Sequence, residues 1–123
     1  MTKIMVVDDD QQVTTLLEEV LIMEGYEAIV VNESAKALEL ALASKPDAFL
    51  LDLMMPDPDG FKVCRMLRAK PEFMHTPIII VTALDDTDSR IVAFGAGADD
   101  YVTKPYHIEE LTDRIKELLE EAG

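Results

Sequence analysis

A chain of 123 residues with 49% hydrophobic and 29% charged residues, and only 5 Gly and 6 Pro, has the length of one domain and a globular composition, which excludes a disordered or fibrous protein. Its 25 Asp plus Glu against 11 Lys plus Arg leave a net charge of −14, a field that repels nucleic acid and anionic lipid and attracts cations or basic partners, so no direct nucleic-acid binding is expected. The single cysteine, Cys64, allows no internal disulfide, and no apolar stretch has the length of a membrane span or the pattern of a secretory signal, so a cytoplasmic protein is expected.

Strand-length apolar runs alternate with segments of helical period, the pattern of repeated βα units and a parallel sheet. The first expected strand, Lys3–Val7, runs into three carboxylates, Asp8, Asp9 and Asp10. Val13, Leu16, Leu17, Val20 and Leu21 then recur at three and four residue steps, as one helix face must. Glu27–Val31 reads as the second strand and 34–43 as the second helix; residues 48–53 form the third strand, ending near Asp52, and Gly60–Arg68 the third helix. Residues 78–81 are the fourth strand, ending at Thr82, with a helix over 86–94; residues 101–103 are the fifth, ending at Lys104 and Pro105. The last helix, 107–121, carries its apolar stripe on Leu111, Ile115, Leu118 and Leu119. The first, third and fourth strands are apolar enough to be buried on both faces. Gly and Pro punctuate the ends of these elements and interrupt none of them. With no linker or repeat, residues 1–123 are expected to be one unit.

In an open parallel sheet ligands bind beyond the carboxyl ends of the strands, near the point where strand order reverses. Asp8, Asp9, Asp10, Asp52, Thr82 and Lys104 all fall at such ends, so they are expected on one edge. One aspartate suffices to cap a helix. Three in a row, joined by Asp52, concentrate negative charge that a hard divalent cation would relieve, and Mg²⁺ suits one or two carboxylates, waters and a phosphate. Lys104 would pair with a carboxylate and neutralise an incoming phosphoryl oxygen, and Thr82 offers that oxygen a hydroxyl.

Four segments, Val6-Val7-Asp8-Asp9-Asp10, then Asp52-Leu53-Met54-Met55-Pro56-Asp57-Pro58-Asp59-Gly60, then Val81-Thr82-Ala83, then Gly97-Ala98-Asp99-Asp100-Tyr101-Val102-Thr103-Lys104-Pro105, resemble the response-regulator receiver domain of two-component signalling. The resemblance covers essentially the whole chain. It implies a flavodoxin-like, doubly wound α/β fold with a five-stranded parallel sheet, order 2-1-3-4-5, and five helices. It makes Asp52 the phosphoacceptor, with Asp9, Asp52 and the Met54 backbone carbonyl holding Mg²⁺ and Asp8 acting mainly through a metal-bound water. Thr82 and Lys104 then bind the phosphoryl oxygens, and Tyr101 is the switch aromatic, filling the space Thr82 vacates. The implied protein is no enzyme in the ordinary sense: it assists its own phosphorylation and dephosphorylation. A sensor histidine kinase or phosphotransfer protein would supply the phosphoryl group. An output domain or target protein would read helix 4, strand 5 and helix 5, the face through which a homodimer would also form.

Weaker signals are read more plainly. Met54 and Leu84, both apolar, are expected to shield an acyl phosphate from water. Arg90, Asp100, Glu110 and Arg114 sit where some receivers carry dimer salt bridges, with helical surface pairs as the simpler reading; Lys62, Arg65, Arg68 and Lys70 read as a solvated face and Cys64 as core. Two further functions compete. A phosphohydrolase of the haloacid dehalogenase class would use Asp8 and Asp10 and leave Asp52 without a role, and a flavodoxin-like FMN carrier would need an uncharged phosphate loop where this chain has three aspartates. A receiver that signals without phosphorylation is a third. Met1 reads as a natural start, and 118–123 as a stretch that runs into a linker if the protein is longer.

Overall fold

Five strands, β1 (Lys3–Val7), β2 (Glu27–Val31), β3 (Ala48–Leu51), β4 (Ile78–Thr82) and β5 (Asp100–Thr103), pair in parallel in the order β2-β1-β3-β4-β5. The computed structural model describes all 123 residues. Five helices connect the strands: α1 (Gln11–Met23), α2 (Ala37–Ser44), α3 (Gly60–Arg68), α4 (Thr87–Ala96) and α5 (Ile108–Ala122). The expected topology is therefore the observed one.

Alternation along the strands sends successive side chains to opposite faces, and each face finds its own helices. Met5, Val7, Phe49, Leu51, Ile78 and Ile80 pack with Ala37 and Ala41 of α2, Val63, Cys64 and Leu67 of α3, and Ala93 and Ala96 of α4. Ile4, Val6, Leu50, Ile79, Val81 and Val102 pack with Leu17 and Leu21 of α1 and Leu111 and Ile115 of α5. As expected, β3 and β4 are buried throughout and β1 from its second residue on. Burial raises the Cys64 thiol to about 11, and the residue is core rather than a reactive group.

Element boundaries move where side chains take over from the ladder. β3 stops at Leu51 rather than 53, because the Asp52 carboxylate accepts the Met54 N–H and turns the chain out of the sheet. β4 extends to Thr82, β5 begins at Asp100, and the second helix opens with a 3-10 turn at Ser34–Lys36. Asp86 and His107 stand just before α4 and α5 as caps, and the Asp86 carboxylate takes both Ser89 N–H and Ser89 Oγ–H, which holds its acid below the usual range. On α1 the expected stripe is corrected at one position. Leu16 is 51% exposed, whereas Thr14 is buried at 1%, satisfied by donating to the Gln11 carbonyl and accepting from Asn32 Nδ2.

The basic face of α3 is also corrected. Arg68 is not solvated: its guanidinium donates to the carbonyls of Gly97 (2.9 Å), Phe73 (2.7 Å) and Thr76 (2.6 Å) and to Asp99 Oδ2 (2.8 Å). Asp99 in turn accepts the N–H of Ile78, at the start of β4. Lys62 pairs with Asp57 at the surface.

Candidate functional site

Register builds the site. Val7 of β1 lies opposite Leu51 of β3, so the next residue on each strand, Asp8 and Asp52, emerge side by side at the carboxyl edge. Thr82 of β4 lies opposite Thr103 of β5, and the Lys104 N–H bonds the Thr82 carbonyl at 2.7 Å, which starts the lysine side chain from the same edge. The Lys104–Pro105 peptide is cis, as is Asp57–Pro58.

The three aspartates after β1 divide their work. Asp10 caps α1 by accepting the Gln12 N–H at 2.9 Å, while Asp8 accepts the Asp10 N–H at 2.9 Å and turns back over the sheet. Asp9, with Asp8 and Asp52, places carboxylate oxygens within 4.8 Å of one another. Asp10 thus belongs to the helix and not to the cluster. The Lys104 ammonium stands 2.9 Å from Asp8 Oδ2 and 3.6 Å from Asp52 Oδ2.

These groups shift one another. Asp8, only 3% exposed, has its acid raised because burial outweighs the lowering by the Asp10 N–H and Lys104. For Lys104 burial works against the charge, yet the hydrogen bond to Asp8 and the charges of Asp52 and Asp8 prevail and its pKa is raised. The cluster is therefore a negatively charged, oxygen-only donor set with a single fixed cation beside it. That chemistry fits a hard divalent ion such as Mg²⁺ and does not fit a soft metal.

Asp9 is exposed and forms none of the hydrogen bonds that hold Asp8 and Asp52. Asp9→Asn is expected to raise the melting temperature without divalent ions by about 2–4 °C, because one like charge leaves the cluster. The same variant is expected to lose most of the stabilisation that millimolar Mg²⁺ gives the wild type. Melting curves with Mg²⁺ and with EDTA measure both; an unchanged response to Mg²⁺ would remove Asp9 from the donor set.

Thr82 is fully buried at the end of β4, its Oγ1 accepting the Leu84 N–H at 3.4 Å. Tyr101 is 3% exposed, with its hydroxyl donating to the Leu84 carbonyl at 2.7 Å. Burial raises its phenol, with Asp86, Asp85 and Asp52 adding to the effect and Arg90 opposing it. The Met54 N–H donates to Asp52 Oδ1 at 3.2 Å, and the Met54 side chain is exposed, whereas Leu84 leans on the core.

Three contributors were not legible as site residues. Gly60, the first residue of α3, donates its N–H to the Leu53 carbonyl at 3.1 Å and closes the 52–60 loop. A Cβ there would collide with the Asp52 carbonyl oxygen and come within 2.6 Å of Leu53 Cα, so only glycine allows this approach. Asn32 ties the Asp8 carbonyl to Thr14 Oγ1, both at 2.9 Å. Arg90 lies over the Tyr101 ring, 4.6 Å from its centroid. Asp100 and Glu110 both pair within the chain, with Arg114.

No helix is long and apolar enough to cross a membrane. The sequence pattern of the response regulator receiver domain matches residues 4–116. Response regulator MprA of Mycobacterium leprae is 43% identical over 117 residues, 95% of this chain and 50% of that protein. The chain thus spans about half the length of the curated relatives it matches. Among solved structures, the receiver domain of the Francisella response regulator 1452 superposes with a TM-score of 0.91 at 32% identity, covering 100% of both chains. The BeF3-activated N-terminal receiver domain of Klebsiella pneumoniae RstA superposes at 0.90 with 34% identity, covering 96% of this chain and 98% of that one.

Proposed function

Because this chain belongs to the response regulator receiver family of two-component signalling, we propose that it is a phosphorylation-controlled switch in which Asp52 accepts a phosphoryl group. The donor is a sensor histidine kinase or phosphotransfer protein, and the receiver unit runs through residues 1–123. The observation that carries this reading is the meeting of Asp8, Asp9 and Asp52 with the Lys104 ammonium poised between two of them. Such a centre holds a cation and a phosphoryl group together and offers a nucleophile to the latter.

Asp8, Asp9, Asp52 and the Met54 carbonyl would hold Mg²⁺, Asp8 mainly through water. When bound, the ion offsets charge on the phosphoryl oxygens. The Asp52 carboxylate attacks phosphorus in line, forming an O–P bond as the P–N bond of a phosphohistidine or the P–O bond of an acyl phosphate breaks. Lys104 leaves its bridging place between the two aspartates to neutralise one phosphoryl oxygen, and the Thr82 hydroxyl bonds another. The product adds up to one further negative charge at Asp52, and α4 follows Thr82 by only four residues. The α4, β5 and α5 face, on which Ile91, Val92 and Phe94 are exposed, is the surface offered to an output domain, a target protein or a second copy.

Intact mass spectrometry after incubation with acetyl phosphate tests this reading. The expected result is one phosphoryl adduct that requires Mg²⁺, disappears with EDTA and is absent from Asp52→Asn. An adduct that persists in Asp52→Asn would place the acceptor elsewhere, and no adduct from either acetyl phosphate or a phosphorylated histidine kinase would favour signalling without phosphate.

A further inference from the structure

Arg90 reads in sequence as a partner for acids on the α4, β5 and α5 face, yet Asp100 and Glu110 are both engaged by Arg114 and Arg90 forms no ion pair. Its charge goes to an aromatic ring instead. The guanidinium carbon lies 4.6 Å from the Tyr101 centroid, and Nη2 donates to Thr103 Oγ1 at 2.8 Å. Thr103 is two residues beyond Tyr101 on the same strand, hence on the same face, so a planar cation laid across the ring reaches it without bending away. The Tyr101 ring also meets Phe94 of α4 at 6.4 Å between centroids.

β5 is the edge strand, and a side chain there has staggered χ1 directions toward the neighbouring helix and toward solvent. We propose that Arg90 is a positioning residue that clamps Tyr101 in its inward direction, anchored for that purpose by Thr103. The clamp continues inward: the tyrosine hydroxyl bonds the Leu84 carbonyl, and the Leu84 N–H bonds Thr82 Oγ1. A connected path therefore runs from the exposed side of α4 to the edge where Asp52 lies. That part of the inference rests on the switch function proposed above; the clamp itself does not. Its consequence is that phosphorylation acts on a tyrosine whose inward direction is already biased by Arg90.

Nitration with tetranitromethane, read tyrosine by tyrosine by mass spectrometry, tests the clamp, with Tyr26 and Tyr106 as internal controls. Arg90→Met keeps the length of the side chain and removes the charge; it is expected to speed nitration of Tyr101 about three- to tenfold and leave the two controls unchanged. Thr103→Val keeps the charge and removes the anchor, and a smaller rise at Tyr101 alone is expected. Unchanged protection of Tyr101 in both variants overturns the clamp, as does an equal rise at all three tyrosines, which reports a loosened fold. Adding Mg²⁺ and beryllofluoride, a phosphoryl mimic, is expected to restore protection in Arg90→Met but not in Arg90→Met with Asp52→Asn. Mimic that binds without restoring protection breaks the path to Asp52 and overturns the coupling. Failure of the mimic to bind even the wild type counts against the function of Asp52 and leaves the clamp to the first arm.

Discussion

Gly60→Ala is expected to melt about 10 °C below the wild type and to accept a phosphoryl group from acetyl phosphate at least tenfold more slowly. The added methyl group overlaps the Asp52 carbonyl oxygen and stands 2.8 Å from the Asp52 carbonyl carbon. Both are backbone atoms, which cannot rotate away as a flexible side chain can, so either α3 or the end of β3 must move. Overpacking of this kind costs about 3 kcal/mol. The catalytic loss follows from the same displacement, because Asp52 leads directly into the residues that collide and an error near 1 Å in a reacting group costs on the order of 10²-fold. Thermal denaturation together with the adduct rate, measured well below the melting point, separates the two effects. A destabilised protein that phosphorylates at the normal rate would mean that α3 gives way and β3 does not.

Arg68→Ala is expected to cost about 3–5 kcal/mol of stability. The side chain is only 16% exposed, and three of its acceptors are backbone carbonyls from the stretch after α3 and the turn after α4. Removing the guanidinium takes a donor from all three carbonyls, leaving that of Phe73 with the Thr76 N–H, and leaves Asp99 with only the Ile78 N–H. Arg68→Lys is expected to recover less than half, since an ammonium cannot meet the diverging acceptors that a planar fork meets. This network sits at the opening of β4, at the far end of the strand from Thr82. Below its melting point Arg68→Ala is therefore expected to keep a near-normal rate of phosphoryl uptake, the reverse of Gly60→Ala. Urea unfolding and the adduct assay test the pair together, and a loss of uptake in both variants would show that the two ends of β4 are not independent.

The two variants also mark where reading from sequence stops. Asp8, Asp9, Asp52, Thr82 and Lys104 were legible because a parallel sheet delivers the residue after each strand to one edge, and five apolar runs located those ends. Nothing local announces Arg68. Lys62, Arg65, Arg68 and Lys70 have the same composition signal, and only the folded chain brings Gly97 and Asp99 within reach of one of them. Gly60 reads equally well as turn punctuation, since the backbone it must approach lies seven and eight residues earlier, across a loop whose closure is a tertiary event.

Helix faces behave in the same way. The three and four residue spacing on α1 establishes a helix with an apolar side, but the stripe is wide enough to pack in more than one rotation. Contact with the sheet chose Thr14, Leu17 and Leu21 and left Leu16 outside, a choice made affordable by Asn32 from the next strand's end. Long cations are the extreme case. Arg90 and Arg114 face the same acids on paper, and packing gives both acids to one and the tyrosine ring to the other. The sequence by itself determined the alternation of strands and helices, the order of the sheet once the motifs were matched, and the residues at the carboxyl edge, because periodicity and strand ends are local properties. Only the tertiary structure decided which side of each helix is buried, which partner each arginine takes and where a methyl group has no room, because those depend on atoms brought together from distant parts of the chain.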